Sequence, residues 1–95
     1  MDDLRLVPSE ARAAADRKRS IAQQLDDSLN SHLEDVNGYS EFWDGLAFNR
    51  FVERYRRCDR QFRDMTRSLR SQADELDGIA RMREAADLRM QSILG

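Results

Sequence analysis

The sequence predicts an all-α protein folded as one antiparallel helical hairpin, and three observations point there. Two long stretches place apolar residues at helical steps of three and four. A short aromatic connector, Tyr39 to Gly45, separates them and carries the only tryptophan in Trp43-Asp44-Gly45. Pro and Gly are scarce, one and four in 95 residues, while 36% of the chain is charged. No stretch alternates apolar and polar residues beside turn dipeptides, so strands are not expected.

Residues 1–95 are read as a single hairpin domain: a first helix over about 8–37, a turn over about 38–46 and a second helix over about 47–93. Met1 to Val7 is a short arm. Pro8 suits a first helical position, Ser9 is the alternative N-cap, and Glu10 favours the positive end of the helix. The first stripe runs through Ala11, Ala14, Ala15, Ile21, Leu25, Leu29, Leu33 and Val36, with Lys18 and His32 on or beside it. Asn37-Gly38 reads as its C-terminal cap pair.

The connector carries Tyr39, Phe42 and Trp43, three rings that are expected to pack onto the helices they join. The indole is expected to fill the wedge between the helices, and Gly45 to supply backbone angles that a side chain forbids.

The second helix shows a sustained heptad. Steps of four and three from Phe51 reach Tyr55, Cys58, Phe62, Met65, Leu69, Gln72, Leu76, Ile79, Arg83, Ala86, Met90 and Ile93. Val52, Ala73, Ala80 and Leu94 widen the stripe, which suits a bundle. The phase runs through Gly78 unchanged, so a continuous helix with a soft spot is expected there. At about 1.5 Å per residue the helices measure roughly 45 and 70 Å. The second therefore overhangs the first, and a two-helix chain of this size leaves much of each stripe wet. A partner chain is implied.

Charge favours the antiparallel pairing. Residues 20–47 hold Asp26, Asp27, Glu34, Asp35, Glu41 and Asp44 with no Lys or Arg, a net of −6. Residues 48–70 hold eight arginines against Glu53, Asp59 and Asp64, a net of 8 − 3 = +5. Arg56, Arg60, Arg63, Arg67 and Arg70 recur at alternating steps of four and three. They are read as lying opposite the apolar seam, as a solvated face or a basic rail for an acidic partner.

No catalytic, cofactor or metal site is expected. His32 is the lone histidine and Cys58 the lone cysteine, placed at a core position. No phosphate loop or nucleophile–base set is present. The net charge of −2 argues against nucleic acid and against a general pull to membranes. No apolar run is long enough to span a bilayer, and the N-terminus lacks the pattern of a signal peptide.

Trp43, Gly45, the small Ala47, then Phe51 and the seam through Tyr55, Phe62, Leu69 and Leu76 resemble the WXG family over nearly the whole chain. These are hairpins of roughly a hundred residues exported by type VII, or ESX, secretion systems. The resemblance implies a dimeric four-helix bundle, a homodimer or a heterodimer with another hairpin or with the helical domain of a secreted effector. It implies a non-enzymatic secreted subunit or an escort of a larger effector, cytoplasmic before export and released without a cleavable signal peptide. The expected dimer or hairpin seam is Phe51, Tyr55, Phe62, Met65, Leu69, Leu76, Ile79, Leu25 and Leu29. Family export signals of the form Tyr-x-x-x-Asp/Glu lie near the end of the second helix, where this chain reads Ala85-Ala86-Asp87-Leu88-Arg89-Met90 without an aromatic residue. Tyr55-x-x-x-Asp59 matches the letters near the helix start and is taken as coincidence, so a partner is expected to supply the signal. The alternative is a cytoplasmic coiled-coil adaptor unrelated to secretion.

Overall fold

A computed structural model describes residues 7–39 and 42–95; the arm up to Leu6 and the connector residues Ser40 and Glu41 lie outside it. Two helices make up the described fold, α1 over Pro8–Gly38 and α2 over Gly45–Leu94. They pack side by side as a hairpin, with Arg12 meeting Glu84 at one end and Tyr39 meeting Phe51 at the other. The molecule is a rod of 75 × 20 × 18 Å. Its length is that of α2 itself, since 50 residues rise about 75 Å.

Pro8 occupies the first turn of α1, where its missing N–H is no loss, and Val7 stands at the N-cap without a capping side chain. Ser9 is therefore not the cap. Gly38 does not end α1 in a left-handed turn: no described glycine has a positive φ, and Tyr39 continues the right-handed path with its N–H on the Val36 carbonyl. α2 runs unbroken through Gly78.

The interface between the helices is built from small side chains. Ala11, Ala15, Ala22, Leu29 and Val36 are buried on α1, and Thr66, Ala73 and Ala80 on α2. Thr66 satisfies its hydroxyl by donating to the Arg63 carbonyl at 2.8 Å. Short side chains let the two backbones approach closely, but an alanine buries far less area than a leucine.

The large apolar residues are displaced from this contact. Thr66, Ala73 and Ala80 each follow by one residue a position of the expected seam, Met65, Gln72 and Ile79, and one residue is about 100° of helix rotation. Of that seam, Phe51, Tyr55, Leu69 and Leu76 straddle the interface half-buried, while Phe62, Met65 and Ile79 remain 43%, 53% and 50% exposed. On α1, Leu29 is buried and Leu25 half-buried, but Ile21 and Leu33 are exposed and Ala22 takes the place expected of Ile21. Cys58 is exposed rather than in the core. Every residue from Asp87 onward is exposed, where α2 runs past the start of α1.

Candidate interaction surfaces

Charge pairs line one flank of the hairpin, and their polarity reverses along it. At the open end α1 supplies the bases: Arg12 grips Glu84 through two hydrogen bonds of 2.6 and 2.9 Å, and Arg19 reaches Asp74 at 2.8 Å and Asp77 at 2.6 Å. Nearer the turn α1 supplies the acid, Asp26, which takes Arg70 at 2.7 Å and Arg63 at 3.9 Å. Arg63 also donates to Asp59 at 2.9 Å and Asn30 at 3.0 Å. The hydrogen bond to Asp74, then that to Asp77, raises the Arg19 pKa above its ordinary value, and that to Asp59 does the same for Arg63. Each exposed pair contributes little, about 0.2–1 kcal/mol. The reversal nevertheless disfavours a shifted register, because sliding the helices brings like charges together.

Three arginines of the expected basic rail are engaged in ion pairs. Arg63 and Arg70 point across to α1 and are spent on Asp26; Arg67 pairs with Asp64 on its own helix. Among the described residues only Arg56 and Arg60 of the five stay exposed without an ion pair, and Arg50, Arg54 and Arg57 join them.

One polar interruption of each apolar stripe meets the other. Lys18 donates to the Gln72 side chain at 2.9 Å, so neither breaks the stripe unsatisfied. His32 is exposed. Tyr55 donates from its hydroxyl to the Leu29 carbonyl at 3.4 Å, and one carboxylate oxygen of Asp59 is buried without a partner among the described residues. Tyr55 and Asp59 are thus half-buried and both engaged by groups of the hairpin itself.

At the turn, four rings form a chain. Tyr39 stacks on Trp43 at 6.3 Å and 13°, Trp43 tilts over Phe51 at 4.9 Å, and Phe51 lies 6.4 Å from Tyr55. The indole is nevertheless 43% exposed and Phe42 is 81% exposed, so the connector packs only in part and the wedge is not sealed. Gly45 is the first residue of α2, in an ordinary helical conformation, and a Cβ there meets nothing within 4 Å. The residue that starts α2 is Asp44, whose carboxylate accepts the Ala47 amide at 3.0 Å. Reading the sequence for Trp and Gly passed over that cap, although Asp is among the strongest N-cap residues.

Three open grooves surround the first turns of α2. One of about 340 Å³ lies between Trp43, Ala47 and Phe51 with Arg50 and Arg54 on its walls. Its neighbours are lined by Leu46, Phe48, Arg50, Val52, Glu53 and Arg56, and by Arg54, Arg57, Cys58 and Gln61. Among the described residues no group of His, Cys, Asp and Glu is placed to hold a metal ion, and no helix is long and apolar enough to cross a membrane.

A family model described as WXG100, proteins of 100 residues with WXG, matches residues 3–88. No curated protein matches the chain.

Proposed function

The chain belongs to the WXG100 family of small helical-hairpin proteins associated with type VII secretion, and from that premise we propose that it is a non-enzymatic subunit of this pathway, exported as half of a helical bundle or escorting a larger effector. WXG100 proteins are secreted by this route, generally dimerise as hairpins, and are not known as enzymes.

The observation that carries the reading is the uncovered apolar stripe. Phe62, Met65 and Ile79 stand about half exposed beside the half-buried Leu69 and Leu76, while the intrachain contact is left to alanines. A second hairpin laid on that stripe removes this surface from water and turns two helices into four. The second chain is another hairpin or the helical domain of an effector. It also supplies the export signal, because the C-terminal turns of α2 hold no aromatic residue and Tyr55 with Asp59 is used internally.

The test is mass spectrometry of culture fluid from intact cells, with and without the partner gene. The protein is expected outside the cells only when the partner is present. Protein that stays inside despite an active pathway and a partner returns the chain to the class of cytoplasmic adaptors.

A further inference from the structure

Five arginines near the start of α2 make no ion pair among the described residues. Arg50, Arg54, Arg56, Arg57 and Arg60 are all exposed, and none makes an ion pair or side-chain hydrogen bond among the described residues, whereas Arg63, Arg67 and Arg70 each do. Asp59 is already taken by Arg63, which leaves Glu53 as the one acidic residue in this stretch without a partner. The arginines do not stand over a flat polar surface. Arg50 and Arg54 line one groove together with Trp43, Ala47 and Phe51, and each also borders a second groove. Leu46 beside them is 64% exposed. Aromatic rings and guanidinium groups lining one groove together match a segment that offers both an apolar side chain and a carboxylate. Arg50 and Arg54, one turn apart, stand about 5–6 Å from each other on one helix face, and planar guanidinium forks bind carboxylates in pairs of hydrogen bonds.

We propose that this groove and its arginines dock an acidic, partly apolar segment of a partner protein, at the turn end of the molecule and away from the exposed part of the stripe at Phe62, Met65 and Ile79. A protein is favoured over nucleic acid or an anionic membrane by the charge around the site. Glu34 and Asp35 lie on the last turns of α1, Asp35 near enough to Tyr55 for its charge to act on the phenol, and the whole chain carries −2. A long polyanion or a charged lipid sheet meets those carboxylates as well as the arginines, within a Debye length of about 8–10 Å. A short segment with placed carboxylates meets only the arginines.

Trp43, the only tryptophan, stands at the groove edge and reports its occupation through its own fluorescence. The probe is a synthetic amphipathic helix with Glu on one face and Leu on the other. It is compared with a scrambled peptide of the same composition, oligothymidine and phosphatidylglycerol vesicles. The helix is expected to shift Trp43 emission saturably and to bind more tightly than the other three. The double variant Arg50→Gln/Arg54→Gln, with helix content unchanged by circular dichroism, is expected to weaken it at least about tenfold. Arg67→Gln, already paired with Asp64, should leave binding unchanged, and so should the stripe variant Ile79→Lys. That last arm keeps this docking distinct from bundle assembly, whose failure is read by sedimentation. Equal binding of the scrambled peptide, oligothymidine or vesicles overturns the proposal, and so does unchanged affinity in the Arg50/Arg54 variant.

Discussion

The carboxylate of Asp44 holds the Ala47 amide, so the start of α2 rests on that side chain and on no special backbone at Gly45. Asp44→Ala should therefore cost about 0.5–2 kcal/mol of hairpin stability, the usual worth of an N-cap. Gly45→Ala should be neutral or gain about 0.4–1 kcal/mol, because the conformation is ordinary and the space is open. Denaturant melts of the two variants decide it, and a reversed order returns the turn to the glycine. Tyr55 supplies a second residue-scale outcome. Burial first, and the Asp59 charge second, raise its pKa above the ordinary 10.0. A phenol raised in the folded state contributes stability that is whole below pH 10.0 and is lost as pH climbs through its folded value. Wild type and Tyr55→Phe should run parallel below that point in melts against pH, with the wild type falling faster above it. Parallel curves throughout would place the phenol in bulk solvent.

At the scale of the elements, the weakest point of α2 is Gly78, part-buried in the middle of a 50-residue helix. A Cβ there meets only the end of the Arg81 side chain at 3.9 Å, ordinary contact. Gly78→Ala should add roughly 0.5–1 kcal/mol by thermal melt, the helix-propensity difference, and a loss would mean that the helix depends on its soft spot. That the phase ran through Gly78 was legible in the sequence, as were both helices, because period and length leave few alternatives. Which column of α2 meets α1 was not legible. Met65 and Thr66 are neighbours, and so are Ile79 and Ala80, and a heptad passes through each. Hydropathy favours Met65 and Ile79, but the contact went to Thr66, Ala73 and Ala80, opposite the alanines of α1. Single-chain patterning ranks residues by the surface they gain from burial and is blind to which column of one helix the other helix takes. The same blindness misplaced Arg63 and Arg70, whose partner Asp26 lies on the other helix, whereas the i,i+3 pair of Arg67 with Asp64 was readable from spacing alone.

The whole molecule is a thin rod with two flanks of opposite character. One carries the reversing charge pairs from Arg12–Glu84 to Asp26–Arg70, which select the antiparallel register and add little net stability. The large apolar side chains stand away from those pairs, and the core between the flanks is mostly alanine. Such a hairpin has little to oppose the conformational entropy of 95 residues. Stability and assembly should then be one equilibrium, with a melting temperature that rises with protein concentration. Ile79→Lys separates the two contributions. Ile79 is 50% exposed in the hairpin, so a lysine there extends into water at small cost, within about 0.5 kcal/mol for a surface site. In an assembled bundle the same ammonium is forced into an apolar interface and has to be desolvated. The variant should sediment as a monomer where the wild type is a dimer, and its melting temperature should lose the dependence on concentration. Arg12→Ala, which removes an exposed pair of the other flank, should leave the dimer intact and lower stability by at most about 1 kcal/mol. A wild-type chain that melts cooperatively as a monomer, at a temperature independent of concentration and unmoved by Ile79→Lys, would show that the alanine interface suffices and that the stripe needs no partner.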